Sequence, residues 1–342
     1  MAIITFKPKQ VTKRLTSVLG ERPRFVITNR FGLGSDPSRM TLEAIGNTYG
    51  ITRERVRQIE NFGLNAIRKS DVFNKEKEAF GELENLVIEL GGIVSEADLL
   101  EHVSNDPKIQ NHAHLLLVLG DEFTKEKENK EFKHRWSVDK EIADVVHDSL
   151  RKVSGSLTKE DIVSEGEMIS NFINNLKNIS EQYKNEEIIK RWLRLSKVIG
   201  RNQLGEWGIA ESSNINARGV RDYAFLVIRK HGSPMHFTEV AEAIGKVFGK
   251  KAHTATCHNE LIKDNRFVLV GRGLYVLKEW GYQTGVVKDV IKNILKEKGS
   301  LTKEDIVQHV LKERYVKENT ISVNLQDGKV FKRDKKGLYS LV

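Results

Sequence analysis

The chain has a single cysteine, Cys257, among its 342 residues. An internal disulfide is therefore excluded, and so is a structural zinc site of the usual two-cysteine kind. The expected compartment is the reducing cytoplasm. No uncharged apolar run approaches the roughly 20 residues needed to span a bilayer, so no membrane association is expected. The first ten residues lack a long apolar core and a small-residue cleavage site, so no secretory signal is expected. Reactive chemistry is equally sparse. Gly32-Leu33-Gly34 lacks the further glycines and the preceding strand of a dinucleotide loop. His112 and His114 are two apart and have no convincing companion ligands, which suits structural histidines better than a metal. His231, His236, His253 and His258 share a segment with Cys257, but at spacings that fit no standard zinc pattern. No nucleophile motif and no paired-acid and lysine cluster of a nuclease stands out. The expectation is a non-enzyme with no catalytic residue, metal or cofactor.

What is present is the composition of a soluble globular protein, 39% apolar and 30% charged, with a net charge of +9. Its length suits two or three ordinary domains, or more numerous small ones. The charge is unevenly spread. Residues 1–70 carry a net +8, residues 71–212 a net −9, and residues 213–280 and 281–342 a net +5 each. A polyanion would be drawn to the first segment, less strongly to the last two, and repelled by the middle. Taken alone, such asymmetry is equally compatible with varied solvated surface.

From residue 71 onward a weak repeat runs through the chain. Residues 155–163 read GSLTKEDIV, and residues 299–307 read the same nine letters; looser versions stand at 92–100 (GIVSEADLL) and 232–240 (GSPMHFTEV). Each follows an apolar-periodic helix, at 83–90, 142–153, 223–230 and 286–296. Each places Ser or Thr ahead of an acidic residue and an apolar stretch, which reads as a capped helix start. Each copy then closes on a β-prone stretch with one large aromatic: Trp136, Trp207, Tyr275 and Tyr339. Those aromatics read as wing residues packing on their own cores. In the last two copies, residues 271–273 and 334–337 supply a hairpin turn. Helix, capped helix, third helix and hairpin is the order of a winged helix. The expected fold class is mainly α: a helix-turn-helix domain over 1–70 followed by tandem winged-helix (α+β) modules over 71–140, 141–212, 213–281 and 282–342. The second module fits least well, because residues 168–192 are long and helical.

Residues 41–69 read TLEAIGNTYGITRERVRQIENFGLNAIRK. Thr41 can cap a short helix over 42–48. Gly50 supplies a turn with positive φ, and Thr52 caps a second helix. On that helix Val56, Ile59, Gly63, Ala66 and Ile67 recur at three- and four-residue steps and face the core. Arg53, Glu54, Arg57 and Gln58 fall on the opposite side near its start, where a recognition helix meets base edges. Arg suits guanine, Gln suits adenine and Glu suits cytosine. Arg24, Arg30, Arg39, Arg55 and Arg68 are left for phosphates. An exposed helix with a charged face is the plainer reading of such a pattern, but the short helix, glycine turn and local charge favour DNA.

These residues resemble the fourth conserved region of bacterial primary sigma factors. The resemblance covers residues 19–69. It rests on Glu21-Arg22-Pro23-Arg24, Arg30-Phe31-Gly32-Leu33, Thr41-Leu42-Glu43 and the specific run TRERVRQIE at 52–60. It implies a domain that reads a −35 promoter element. By position it implies base reading by Arg53, Glu54 and Gln58. It implies positions at or near phosphates for Thr41, Leu42, Glu43, Arg55 and Arg57, beside the pattern-derived candidates Arg30 and Arg39. It also implies docking on the flap of the RNA polymerase β subunit. Phe62-Gly63 stands where the family usually has a helix-favouring pair. Residues 219–282 further resemble a HARE-type winged helix, through Tyr223-Ala224, residues 231–236 and residues 271–277. Its third helix is expected over 252–263. Lys250, Lys251, His253, Thr254 and His258, with Arg272 at the wing tip, are candidates for a second DNA site there, although a protein-docking module fits this stretch equally well.

Together these features predict a sequence-specific DNA-binding transcription factor or polymerase-associated regulator of the bacterial cytoplasm, associated with the nucleoid. Its expected partners are double-stranded DNA and RNA polymerase. Two alternatives remain open: a flap-binding interaction protein that never reads DNA, and the DNA-recognition accessory of a restriction or modification system.

Overall fold

The computed structural model describes residues 4–176, 179–282 and 285–342. The chain divides into two compact units, Met1–Glu211 and Ser212–Val342.

The first unit begins with five helices: α1 (Pro8–Thr16), α2 (Glu21–Phe31), α3 (Leu42–Tyr49), α4 (Arg53–Arg68) and α5 (Asp71–Lys75). A winged helix follows, made of α6 (Lys77–Glu89), β1 (Ile93–Ser95), α7 (Glu96–Val103), α8 (Pro107–Leu119), β2 (Thr124–Glu126) and β3 (Arg135–Ser137). Its sheet has the order β1-β3-β2, antiparallel throughout, with Val94 opposite Trp136. Ser95 caps α7 by accepting from the Asp98 N–H at 3.0 Å. Glu96, the first residue of α7, accepts from the Trp136 indole N–H at 2.9 Å and from Lys125 Nζ at 2.6 Å, so the wing aromatic is pinned to the helix that starts beneath it.

The next module repeats this order with α9 (Lys140–Ser156), α10 (Glu165–Asn175), α11 (Glu186–Leu193), β4 (Ile199–Arg201) and β5 (Trp207–Ile209). The first strand of its sheet is reduced to one bridge, Val163 to Trp207. Here the expected repeat register fails. Residues 155–163 do not start a helix: they finish α9, turn, and end in that bridge. The helix cap is Ser164, not Thr158. In the second copy the same nine letters do start a helix, with Thr302 as the cap and Leu301 as the bridging residue. The difference lies in which residue finds a strand partner, a tertiary choice that overrides identical local propensity. The long helix expected over 168–192 is two helices, α10 and α11; Lys177 and Asn178 within it lie outside the described residues.

The helix-turn-helix segment and the first winged helix do not have separate interiors. Val11, Leu15, Ile27, Phe31, Leu64 and Ile67 share one core with Leu83, Leu99, Leu115 and Leu116. The link is α8, which lies against α1, α2 and α4. Even its polar residues are buried and occupied. Asn111 donates to the carbonyls of Gly32 (3.0 Å) and Pro37 (2.7 Å), and His112 lies 2.6 Å from the Thr12 hydroxyl. The second winged helix is joined to the first in turn. Trp192 of α11 donates from its indole to the Gly91 carbonyl at 3.1 Å, and the Lys133 N–H donates to the Leu195 carbonyl at 3.0 Å.

The second unit carries two more winged helices. The first comprises α12 (Val220–His231), β6 (Met235–His236), α13 (Phe237–Phe248), α14 (Thr254–Lys263), β7 (Phe267–Leu269) and β8 (Leu274–Leu277), with sheet order β6-β8-β7. The cap of α13 is His236, not the Ser or Thr expected at each repeat. Gly273, at φ 71°, sits so close that a Cβ would lie 2.4 Å from His236 Nε2, which makes glycine obligatory in this wing turn. The last module comprises α15 (Val287–Lys298), α16 (Lys303–Glu313), α17 (Glu318–Leu325), β9 (Phe331–Arg333) and β10 (Tyr339–Leu341) around its own apolar core. Both hairpins close over the residues expected from the sequence. Of the four wing aromatics, Trp136, Trp207 and Tyr275 are buried and Tyr339 is half-buried.

Candidate nucleic-acid interface

The helix-turn-helix is built by caps and two glycines. Thr41 accepts from the Ala44 N–H at 3.1 Å and starts α3; Thr52 accepts from the Arg55 N–H at 3.2 Å and starts α4. Gly50 ends α3 in the left-handed region at φ 63°. Gly46 lets the turn close on the helix, since a Cβ there would stand 2.5 Å from the Ile51 carbonyl oxygen. Val26, Ile45, Val56 and Ile59 are buried together under the turn and fix the angle of α4. Gly63 is buried where α4 crosses α2, with Ile27 and Pro23 against it. A helix-favouring side chain larger than alanine would have to push against that crossing, which is where the Phe62-Gly63 departure falls.

The opposite face of α4 is open. Arg53, Glu54, Arg55, Arg57 and Gln58 are all exposed. Arg57 grips Glu54 with two hydrogen bonds of 2.8 and 2.7 Å, and Arg55 donates to Gln58 Oε1 at 3.0 Å. The bond from Arg57 holds the Glu54 carboxyl below its usual range, so it stays ionised and acceptor-only. The Arg53 side chain makes no hydrogen bond among the described residues. These are solvent-exposed pairs within one helical turn, and such pairs exchange readily for other partners. A guanidinium, a carboxylate and an amide thus stand side by side at the start of a helix, with donor and acceptor capacity for base edges.

The expected phosphate candidates separate into two groups. Thr41 and Glu43 are exposed and Leu42 half-buried at the start of α3. Arg30 lies at the edge of the turn, donating to the Met40 carbonyl at 3.2 Å with Glu60 at 3.5 Å. Arg39 donates to Asn111 Oδ1 at 2.8 Å, a bond it would have to give up to reach a phosphate. Arg24 and Arg68 are different. Arg24 donates to the carbonyls of Thr16, Ser17 and Leu19 at and beyond the end of α1, and Arg68 to those of Val118 and Leu119 at the end of α8. Both close helix C-termini, where unpaired carbonyls and the helix dipole attract a cation. They are struck from the phosphate set.

The geometry agrees with comparisons across known proteins. Residues 17–69 match the family Sigma-70, region 4. They form a sigma-70 region 4 domain. Over 50 residues the chain is 52% identical to RNA polymerase sigma factor RpoD of Helicobacter pylori, which covers 15% of this chain and 8% of that protein. Over 60 residues it is 42% identical to RNA polymerase sigma factor SigA of a Bacillus species, covering 18% of this chain and 16% of that protein. The chain thus spans less than a fifth of the length of these relatives. Region 4 is a DNA-binding region that reads the −35 element, and α3 and α4 are its helix-turn-helix here.

The third helices of the winged modules differ sharply in access. In α8 the eight residues Asn111 to Leu117 and Leu119 are buried; α11 buries Ile188, Ile189, Trp192 and Leu193. Both are committed to holding the first unit together. In both acidic modules the third helix is thus engaged in packing. By contrast, α14 and α17 bury only two residues each. Lys250, Lys251, His253, Thr254 and Arg272 are exposed. His258 is not: it is half-buried, stacked on Phe237 with ring centres 4.2 Å apart, and acts in packing. Among the histidines flagged from the sequence, His112 and His114 are buried structural groups. Cys257 is buried and its thiol is pushed up to about 11 by that burial, which keeps it protonated and unreactive. Among the described residues no group of His, Cys, Asp and Glu could hold a metal ion, and no helix is long and apolar enough to cross a membrane.

Proposed function

We propose that this protein is a sequence-specific DNA-binding transcription regulator whose α4 reads a −35-like promoter element through Arg53, Glu54 and Gln58. The observation that carries this reading is the open N-terminal face of α4, where all three side chains are exposed and, among the described residues, Glu54 and Gln58 are hydrogen-bonded to arginines of the same face. In this reading Arg53 pairs with a guanine, Gln58 with an adenine, and Glu54 accepts from a cytosine. Arg55 and Arg57 leave Gln58 and Glu54 for phosphates, and Arg30, Arg39 and the start of α3, from Thr41 to Glu43, position the backbone. RNA polymerase is the second partner, by likeness to the sigma factors that share this domain. The protein acts by binding rather than by catalysis.

Residues 219–282 are taken as a HARE-type winged helix. The order α12-β6-α13-α14-β7-β8 and the tight turn at 271–273 support this. In this reading Lys250, Lys251, His253, Thr254 and Arg272 form a secondary contact to DNA, without His258.

Footprinting on genomic fragments tests the main reading. Protection of a −35-like sequence at moderate salt is expected. A triple variant with alanine at 53, 54 and 58 should lose that protection while retaining general affinity for duplex DNA. Retained promoter regulation by that variant would favour a polymerase-docking protein that does not read DNA.

A further inference from the structure

We infer that the hairpin of the last winged helix, β9–β10, is a sequence-independent phosphate-binding arm for double-stranded DNA. The inference goes beyond the reading of α4 and concerns a different surface in a different unit.

The hairpin concentrates four cations in five residues. Lys332, Arg333, Lys335 and Lys336 are all exposed. Asp334, the one acid among them, does not neutralise them through an ion pair. Its carboxylate accepts instead from the backbone N–H groups of Lys336 (2.9 Å) and Leu338 (2.8 Å), and so shapes the turn. Arg333 rests over the Tyr339 ring at 5.6 Å, which orders its guanidinium without consuming its charge. Among the described residues none of the four forms an ion pair.

The other wings show what a wing looks like when it serves another purpose. In the first winged helix the loop between β2 and β3 is tied down by Glu131–Arg151 at 3.2 Å, Glu128–Lys197 at 2.5 Å and the Lys133–Leu195 backbone bond. The turn at 271–273 in the second unit is tight, and the chain before α17 is bonded to its edge through the Tyr315 N–H and the Val270 carbonyl at 2.7 Å. β10 joins its own module through the Leu301–Tyr339 bridge, but residues 332–336 of the β9–β10 hairpin bond, among the described residues, to nothing outside the hairpin. It follows directly on α17, whose Glu318, Asn319, Thr320 and Val323 are exposed. A free basic hairpin beside an open third helix, in a segment of net charge +5, has the chemistry to grip a polyanion of regular phosphate spacing. Without paired base-reading groups it carries no sequence preference.

The test uses the full chain and two 40-base-pair probes, one of random sequence and one carrying the protected site. The K332A/K335A/K336A triple variant is compared with the unaltered protein by fluorescence anisotropy across a salt series. Each phosphate contact contributes about 0.9 to the slope of log affinity against log salt. The variant should therefore show a slope less steep by about 2–3 and weaker binding on both probes alike. Unfolding midpoints should be unchanged, since these lysines are exposed, and a K335E variant should deepen the loss. An unchanged slope on the random probe would overturn the proposal. So would a variant that keeps its DNA affinity but loses binding to polyglutamate, which would assign the hairpin to an acidic protein surface. Failure of α4 to discriminate between the two probes leaves the slope test intact, so the two claims fail separately.

Discussion

Arg57 clasps Glu54 through two parallel hydrogen bonds, one turn apart on the exposed face of α4. The fork holds the carboxylate in the free protein, and as a solvent-exposed pair it opens at little cost when Arg57 turns to a phosphate.

The clasp predicts a titration result. In the unaltered protein the Glu54 carboxyl should titrate below the usual carboxylate range, because its ionised form accepts from Arg57. In R57A the value should rise toward that range. Carboxyl-carbon NMR on both proteins measures it directly, and equal values would show that the clasp does not persist in solution.

Arg53→Ala should cost about 1–3 kcal/mol of discrimination at one base pair, with little change on random sequence. Competition binding against single-base variants of the protected site checks this. A uniform loss on every probe would instead assign Arg53 to a phosphate.

Two glycines in the reading domain should respond differently to alanine. At Gly46 the new Cβ would meet the Ile51 carbonyl oxygen at 2.5 Å, which is backbone and cannot swing away. We expect G46A to destabilise by about 2 kcal/mol or more. At Gly63 the nearest atom is Ile27 Cγ1 at 3.3 Å, the flexible side chain of a neighbour. The helix-propensity gain of about 1 kcal/mol offsets that contact, so G63A should be near neutral. Thermal unfolding of the two variants side by side decides it.

Three buried histidines predict acid sensitivity of the first unit. His112, His114 and His147 are each lowered from the ordinary value of 6.5, in every case chiefly by burial. Lys9 reinforces the shift at His112 and Arg135 at His147; at His114 the pull of Glu96 opposes it without overcoming it. The unfolded chain therefore binds protons more readily than the folded one, and stability rises with pH over this window. It should be full above about pH 6.5 and decline as pH falls from there through the lowered folded values. Urea midpoints at pH 7.5 and 5.5 should differ, and H147Q should reduce the difference. Glu96 adds nothing in that window. Its hydrogen bonds from His114 and Lys125 outweigh burial and hold it well below the carboxylate range, so its contribution is lost only at far lower pH.

The reading helix was legible in the sequence because its information is local: two hydroxyl caps, a turn glycine and apolar residues at helical spacing all lie within 30 residues. The wing hairpins were legible for the same reason. What was hidden depends on distant partners. Nothing near Arg24 or Arg68 says that a helix end lies within reach, and both looked like spare cations. The repeat shows this most clearly. GSLTKEDIV ends one helix and turns at 155–163, and starts another at 299–307, because Val163 pairs with Trp207 in one place and Leu301 with Tyr339 in the other. A shorter match carries the structural equivalence better. Ile93-Val94-Ser95-Glu96 and Ile162-Val163-Ser164-Glu165 both run from strand into cap, and each glutamate meets the wing tryptophan of its own module, at 2.9 and 3.5 Å.

The interior shared between the helix-turn-helix and α8 means that the reading domain is not a detachable cartridge. Cut after residue 70, it would present Ile27, Phe31, Leu64 and Ile67 to water and lose the Asn111 bonds that brace its loop at Gly32 and Pro37. Grafting it onto another protein would require the first winged helix to travel with it, and changes to the buried face of α8 would alter the bearing of a recognition surface they never touch.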